Sequence, residues 1–349
     1  MTDISLPAAW PALDDFSTIQ SFFQLPFQSI ERIQAISEPE QSRWIYKVSS
    51  TAGQWYALKM YSIPSTTTQD LQAQAMLCTY LAQHGMSVPA RLYGSNNCSY
   101  IQLLWEEQEV YAIMEAWLPG REPEQMNACL IQQAGEWLGR MHLLASQTDT
   151  VFNFNSYSPW SLFNEDEEMK QEAKQLHAAL LDSSADTSLR ESLFQLYEEK
   201  RMQLKQCWPS LPSGAVQGDF SLNNLLINEQ YQLEGIIDFN LAGNDTFVSH
   251  LSGEAAFLAY AADREDGPDE QISDLYVQRF LAGYMKYRSL TAQELHALNH
   301  LIGLRRAFAC YQVDAMYDLL DTGQIDAINA QMSAMITWMQ QNDVALNKQ

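Results

Sequence analysis

The stretch QGDFSLNNLLINEQYQLEGIIDFN, residues 217–240, decides the fold assignment. Its two short apolar runs, LLIN and LEGII, flank a polar turn and predict an antiparallel β-hairpin. In that pairing Asn224 lies opposite Ile237, and Asp238 follows one residue later at the same end. The hairpin therefore predicts that an amide oxygen and a carboxylate meet at one point.

Hard oxygen ligands of this kind suit Mg²⁺, which proteins hold with one or two side chains while substrate phosphates supply further ligands. Asp219 lies on the loop that enters the hairpin, and a carboxylate beside a metal–phosphate site can accept the proton of an attacking hydroxyl. An isolated Asp or Asn more often forms a turn or a cap. Here the D-x-x-x-x-N spacing, the hairpin and the second aspartate agree with the catalytic layout of the protein-kinase fold.

That layout requires a lysine on the third strand of a small β-sheet, where it reaches the nucleotide phosphates. The sequence YALK at 56–59 is similar to the V-A-I-K pattern of that strand. Strand alternation places Trp55, Ala57 and Lys59 on one face. Small Ala57 leaves room for a purine, and Lys59 points toward the phosphates.

The hydrophobic patterns predict an α+β, bilobal fold with a leading helical segment at 1–27. An N-terminal nucleotide-binding lobe at 28–117 follows, and then a C-terminal helical catalytic and substrate lobe at 118–349. In detail, the patterns predict a leading helix at 8–24, strands at 29–37, 43–51, 54–62, 99–105 and 109–117, and helices at 66–84, 125–145, 165–182, 185–207, 251–263, 270–286, 291–317 and 323–341.

The two motifs QGDFSLNNLL and GIIDFNLAGND resemble the H-G-D-x-x-x-x-N and I-D-F/W-x-x-A-G-x-x-D signatures of the aminoglycoside phosphotransferase/choline kinase family. The segments YALKMY, LAQHGMSVPARLYG and YAIMEAWLPGRE also fit the pattern, so the resemblance spans about residues 28–320. It implies a bilobal protein-kinase-like fold and a phosphotransferase that uses ATP or GTP with Mg²⁺. The phosphoryl acceptor it implies is a hydroxyl of a small molecule.

The resemblance implies a role for each matched position. Glu115 and Trp117 bracket the hinge, where main-chain groups hydrogen-bond the nucleotide base. The remaining roles are catalytic base for Asp219, Mg²⁺ ligand for Asn224 and Asp238, and phosphate ligand for Lys59.

Two departures from the family pattern, at Gln74 and in the loop at 37–44, motivate an alternative, a kinase-like nucleotide-binding protein without phosphotransfer activity. Gln217 replaces the usual histidine, although its amide can also hydrogen-bond the backbone. Gln74 stands where a helix would offer glutamate to Lys59, and it can hydrogen-bond the ammonium without neutralising it. The phosphate-covering loop at 37–44 has no glycine, and Ser42 is its candidate phosphate contact.

The acceptor is predicted to bind against the helical lobe. Arg305, Arg306 and Tyr311 could hold a carboxylate. Asp314 and Asp318, one helical turn apart, could hold an ammonium group. Such a set suits a zwitterion or an amino sugar, although charged residues on a helix more often form a solvated face or ion pairs. The predicted acceptor residues are His250, Glu254, Arg305 and Asp314.

Composition excludes several partners. The formal net charge of −23 predicts repulsion of nucleic acids and anionic membranes. The five cysteines are scattered without a C-x-x-C pair, which indicates a reducing compartment and argues against a zinc site. The start MTDISLPAAWPALDDF has no basic or apolar run of a signal peptide, so a cytoplasmic protein is expected. The oligomeric state is left open.

Overall fold

The computed structural model describes residues 16–36, 42–164, 167–267 and 270–341. The chain divides into two compact units. Unit 1 comprises Met1–Pro119 with Phe152–Asn155, and unit 2 comprises Gly120–Val151 with Ser156–Gln349.

Unit 1 is built on a five-stranded sheet in the order β1-β2-β3-β5-β4, with antiparallel neighbours throughout. All five strands confirm the predicted ones to within two residues. They are β1 (Phe27–Ile36), β2 (Arg43–Ser50), β3 (Trp55–Ser62), β4 (Tyr100–Trp105) and β5 (Gln108–Ala116).

The two faces of this sheet bury different helices because strand residues alternate between faces. Leu58 and Met60 of β3 join the core that includes residues of α1 (Ser17–Phe23). Tyr61, on the opposite face of β3, packs against Leu71 of α2 (Thr68–Gln83). Alternation places Lys59 on the α2 face as well, which is the face that the sequence pattern predicts for it.

Unit 2 is mainly helical. Among the described residues, no helix is both long and apolar enough to cross a lipid bilayer. A π-helical turn, Phe257–Ala261, continues the sixth helix. The helices are α3 (Ala128–Gln147), α4 (Glu168–Leu181), α5 (Thr187–Cys207), α6 (Phe247–Ala256), α7 (Glu270–Met285), α8 (Ala292–Phe308), α9 (Cys310–Asp321) and α10 (Ile325–Gln340).

Glycine lets α3 and α7 approach at backbone distance. A Cβ atom on Gly135 would lie 2.0 Å from the carbonyl oxygen of Phe280, and one on Gly139 would lie 2.4 Å from that of Tyr284. Because carbonyl oxygens of a helix cannot move aside, these two positions exclude every larger side chain. The close approach brings His142 of α3 beside Tyr284 of α7, a contact used below.

Four short strands complete unit 2. The predicted hairpin is confirmed by β7 and β8, since Leu225 pairs with Ile236 and the N–H of Ile237 donates to the carbonyl of Asn224 at 2.9 Å. A second antiparallel pair, β6 with β9, was not predicted. The four strands are β6 (Ser213–Val216), β7 (Leu225–Ile227), β8 (Leu233–Ile236) and β9 (Gly243–Thr246).

One helix prediction needs correction, and another is tested only in part. The single helix predicted at 291–317 is wrong, because Ala309 has an extended backbone (φ −66°, ψ 148°) that separates α8 from α9. Arg305 and Asp314 therefore belong to different helices. The leading helix predicted at 8–24 is helical from Ser17 in the described part, and residues 8–15 lie outside it.

Candidate active site

The side chain of Gln217 fixes the loop that carries Asp219. Its amide nitrogen donates to the carbonyls of Ile237 at 3.3 Å and Asp238 at 2.7 Å. Its amide oxygen accepts from the backbone N–H of Asp219 at 2.6 Å. Gln217 therefore connects the start of the loop to the end of the hairpin. Its amide hydrogen-bonds the backbone, as predicted for this position where the family usually has histidine.

The structure brings Asp219 and Asn224 into direct contact. The amide –NH₂ of Asn224 donates to Oδ2 of Asp219 at 2.7 Å, and Oδ1 of Asp219 accepts from the N–H of Ser221 at 3.0 Å. Both carboxylate oxygens are thus oriented by fixed donors. Because the contacts with Asp219 use the nitrogen end of the Asn224 amide, its oxygen is the end that can ligate a cation.

Asp238 lies at the end of the hairpin, where its carbonyl accepts from the Gln217 amide. Its backbone is left-handed (φ 58°), a conformation that costs a non-glycine residue free energy and that clusters at functional sites. Gly218, on the facing loop, has φ 94°, and a Cβ there would lie 2.2 Å from the carbonyl of Leu241. The Gln217 side chain bonds to the carbonyl of Asp238 and to the N–H of Asp219, so it connects the two loops beside these residues.

A cation would find suitable donors here. The described residues contain no group of three or more His, Cys, Asp or Glu side chains arranged around a metal position. An Mg²⁺ site made of one amide oxygen and one carboxylate, completed by phosphates, does not need such a group. The donor chemistry of Asn224 and Asp238 fits Mg²⁺, and the roles of these two residues stay predictions.

His250 and Glu254 do not line an acceptor site, which corrects their predicted role. Both side chains on α6 are fully buried, at 0% exposure. Nε2 of His250 accepts from the N–H of Gly218 at 3.1 Å, and Glu254 accepts from the N–H of Phe220 at 3.1 Å. These residues hold the backbone on either side of Asp219 from within the core.

His250 belongs to a chain of buried hydrogen bonds. Its Nδ1 lies 2.8 Å from Nε2 of His142, whose Nδ1 lies 2.9 Å from the hydroxyl of Tyr284. Burial lowers the pKa of His142 well below its usual value, with His250 and Arg288 adding to the effect. Two groups meet at Nε2 of His250, because the N–H of Gly218 donates to it at 3.1 Å and Oε1 of Glu254 lies 3.1 Å away. A line of buried side chains, from Tyr284 through His142 to His250, thus reaches the Asp219 loop.

In unit 1, the carboxylate partner of Lys59 comes from a strand. The Nζ atom of Lys59 lies 3.1 Å from Oε2 of Glu115, and Arg91 lies 3.0 Å from the other oxygen of the same carboxylate. All three side chains are buried, and β3 pairs with β5 so that Ala57 faces Glu115. The sequence predicted only a hinge role for Glu115, so this ion pair was missed.

Three other residues were predicted to belong to the nucleotide site: Trp117, Ser42 and Gln74. The N–H of Trp117 donates to the carbonyl of Trp55 at 3.0 Å, and the predicted place of Trp117 at the hinge stays a prediction. Ser42 is 1% exposed and its carbonyl accepts from Ser62, which contradicts a phosphate-contacting position. Most of the predicted loop, 37–41, lies outside the described residues. Gln74 is buried on α2, and its predicted role stays untested.

Of the last two predicted acceptor residues, one is buried and one is exposed. Arg305 is buried, and its guanidinium donates to the carbonyl of Trp160 and to Oγ of Ser249. Asp314 lies on the exposed side of α9. The sequence suggested that Arg305 and Asp314 lie on one helix and form one binding surface. The structure instead places them on two different helices.

The profile of the APH phosphotransferase enzyme family matches residues 32–290. The homoserine kinase of Rhodopseudomonas palustris (strain BisB18) is 27% identical over 235 residues, which cover 66% of this chain and 64% of that protein. The homoserine kinase of Bradyrhizobium diazoefficiens is 27% identical over 232 residues, 66% of this chain and 63% of that protein. The chain thus matches less than two thirds of the length of these relatives.

Solved structures of similar fold cover nearly the whole chain. The amicoumacin kinase hAmiN, in complex with AMP-PNP, Ca²⁺ and Ami, has a TM-score of 0.64 at 18% identity and covers 96% of both chains. A microcompartment-associated aminopropanol kinase has a TM-score of 0.61 at 14% identity and covers 94% of both chains. At these identities the likeness concerns the fold alone, and it confirms the α+β protein-kinase-like class.

Proposed function

Because the chain belongs to the APH phosphotransferase enzyme family, we propose that it transfers the γ-phosphoryl group of ATP to a hydroxyl of a small polar molecule. The observation that supports this most is the 2.7 Å contact between Asn224 and Asp219 on a loop braced by Gln217. A predicted base and a predicted metal ligand share one hydrogen bond. In phosphoryl transfer a protein contributes mainly by positioning the reacting groups, and this contact positions two of them in advance.

In the proposed reaction, the acceptor oxygen attacks the γ-phosphorus and the bond to the β–γ bridging oxygen breaks, which releases ADP. Asp219 accepts the hydroxyl proton, since each of its oriented oxygens has a further lone pair. Asn224 and Asp238 would hold Mg²⁺, which supplies neutralisation of the phosphate charge. Lys59, oriented by Glu115, binds the α- and β-phosphates.

The acceptor we propose is an amino alcohol or a hydroxy amino acid. The matched relatives are homoserine kinases, and one solved structure of similar fold is an aminopropanol kinase. Both names describe a hydroxyl group a few bonds from an amine. The acidic net charge of −23 favours an acceptor that carries positive charge.

A second candidate function is nucleotide binding without transfer. The burial of Ser42 supports it, because the predicted phosphate contact of that residue is then missing. The Lys59–Glu115 pair weighs against it, because Gln74 no longer leaves Lys59 without a carboxylate.

The test is ADP release by the purified protein with Mg·ATP and a panel of homoserine, serine, ethanolamine, 1-amino-2-propanol, choline and aminoglycosides. We expect turnover with at least one acceptor, and a loss of about 10²–10⁴-fold in Asp219→Asn. Glu229→Gln, an exposed acid in the hairpin turn, is the matched control and keeps full activity. ADP release that no acceptor stimulates, or full activity in Asp219→Asn, contradicts the proposal.

A further inference from the structure

A cavity of about 120 Å³ lies among the helices of unit 2. One water molecule needs about 10–15 Å³ by the same kind of measure, so the space suits a small organic molecule. Its lining comes from α4, α6, α8 and α9 and from the loop that holds Trp160. Asp219, Asn224 and Asp238 are not among its lining residues, so the space is separate from the proposed catalytic group.

Two buried hydrogen-bond donors of the lining have no partner. Arg305 is 5% exposed, and within the described residues neither its Nε nor the hydroxyl of Tyr311 has a hydrogen-bond partner. Burial lowers the pKa of Arg305 only to about 10, so its guanidinium stays charged at neutral pH. Buried donors almost always find an acceptor, so these two indicate a ligand with an anionic or carbonyl oxygen.

Carboxylates form another part of the lining. Glu168 and Glu172 lie one turn apart on α4 and both line the cavity. Burial, with the nearby Glu168 and Asp314, raises the pKa of Glu172 to about 7. These like charges repel one another, so a cation in the cavity would stabilise the ionised form of Glu172.

The charges of the Arg305 guanidinium and the Glu172 carboxylate do not compensate each other. The carboxylates that act on the Arg305 pKa are those of Asp245, Glu167 and Glu254. Those that act on the Glu172 pKa belong to other residues, Glu168 and Asp314. A ligand that carries both charges would complement both groups at once.

We propose that this cavity binds a small zwitterion, with its carboxylate at Arg305 and Tyr311 and its ammonium group at Glu172. The aromatic walls Trp160 and Phe257 enclose the carbon chain between the charges. This binding does not depend on the proposed phosphoryl transfer.

A bound zwitterion would also contact a residue that braces the Asp219 loop. The indole nitrogen of Trp160 donates to Glu254 at 2.8 Å, and Glu254 accepts from Phe220 at 3.1 Å. Occupancy of the cavity can therefore stabilise this loop through Trp160.

The binding test is calorimetric titration of the full-length protein with glycine, β-alanine, 4-aminobutyrate and 5-aminovalerate. In this order the ammonium and carboxylate groups of the amino acid lie progressively farther apart. Butyrate and butylamine serve as probes that carry one charge each. We expect at least one of these amino acids to bind at least about tenfold more tightly than butyrate or butylamine, since each charged end adds hydrogen bonds. If no amino acid binds in the millimolar range, or if butyrate or butylamine binds as tightly, the proposal is overturned.

Two substitutions locate the binding. Tyr311→Phe removes a hydroxyl without a partner, so we expect an unchanged or higher melting temperature but about tenfold weaker binding of the best amino acid. Tyr287→Phe, at an exposed tyrosine, is its control. Glu172→Gln should weaken binding similarly, whereas Glu191→Gln on the exposed side of α5 should not.

Equal affinity in Tyr311→Phe and Glu172→Gln would place the ligand elsewhere and overturn the proposal. A parallel titration with Mg·AMP-PNP separates this inference from the proposed function. Protein that binds the nucleotide but no zwitterion contradicts the inference alone.

Discussion

The buried ion pair of Glu115 offers a sharp test of how Lys59 is held. Glu115→Gln keeps the shape of the side chain but removes its charge. The side chains of Lys59 and Arg91 are 8% and 1% exposed, so two cations would remain buried beside a neutral amide. Removing one partner of a buried ion pair costs about 3–5 kcal/mol. Because the amide oxygen can still accept a hydrogen bond, we expect the lower end, about 3 kcal/mol.

The assay is thermal unfolding together with steady-state kinetics. A loss of about 3 kcal/mol corresponds to a melting temperature lower by about 6–12 °C at 2–4 °C per kcal/mol. Since Lys59 would lose its fixed position, kcat/KM for ATP should fall at least about tenfold. The matched control is Glu109→Gln, an exposed glutamate on the same strand, which should change neither quantity.

A second substitution tests whether Lys59 requires a negative charge beside it. Gln74 lies on α2, the helix whose Leu71 packs on the same sheet face as Lys59. Gln74→Glu added to Glu115→Gln should therefore recover part of the lost stability and kcat/KM. Unchanged melting and unchanged kinetics in Glu115→Gln would refute the role assigned to this pair.

Three further predictions address other parts of unit 2. Gly135→Ala should lower the free energy of unfolding by about 1–3 kcal/mol in denaturant titration, since its Cβ would lie 2.0 Å from a backbone oxygen; unchanged stability would contradict the close approach. His250→Ala should lower kcat with little change in KM for ATP, because the N–H of Gly218 loses its acceptor; a normal kcat would contradict the bracing role. Glu172 binds its proton more tightly when folded, with a pKa of about 7 against 4.5, so its contribution to stability is present below pH 4.5 and lost as pH rises to 7. Melting temperatures across this range should fall more in the wild type than in Glu172→Gln, and parallel curves would contradict the raised pKa.

The sequence predicted the hairpin and its loop well because their signal is local. The spacing of Asp219, Asn224 and Asp238 and the two apolar runs lie within 22 residues, so backbone geometry leaves few alternatives. The pair β6–β9 was missed for the opposite reason. Its strands SGAV and GNDT show no clear alternation, and they pair across about 30 residues of intervening chain.

The partner of Lys59 depended on strand register, which the sequence does not display. Once β3 and β5 pair with Ala57 facing Glu115, the carboxylate lies on the lysine face. A usable signal existed, since a glutamate inside the apolar run YAIMEAW needs a buried cation. Likewise, His250 and Glu254 have the i,i+4 spacing of one helix face, but only packing shows that α6 is buried on every side.

The break between α8 and α9 had no sequence signal. Ala309 is neither glycine nor proline, and alanine is the strongest helix former, so local propensity at this position predicts continuity. Tertiary packing overrides that propensity. The separation of Arg305 from Asp314 could therefore be seen only in the folded chain.

Calorimetric titration with AMP-PNP, with and without Mg²⁺, tests most directly whether Asn224 and Asp238 form a metal–phosphate site. We predict that the wild type binds the nucleotide in a Mg²⁺-dependent manner. Asp238→Asn should lose at least about tenfold of that affinity and most of the Mg²⁺ dependence, since a carboxylate ligand becomes neutral. Equal, Mg²⁺-dependent binding by the wild type and Asp238→Asn would contradict the account, as would a wild type that binds no nucleotide.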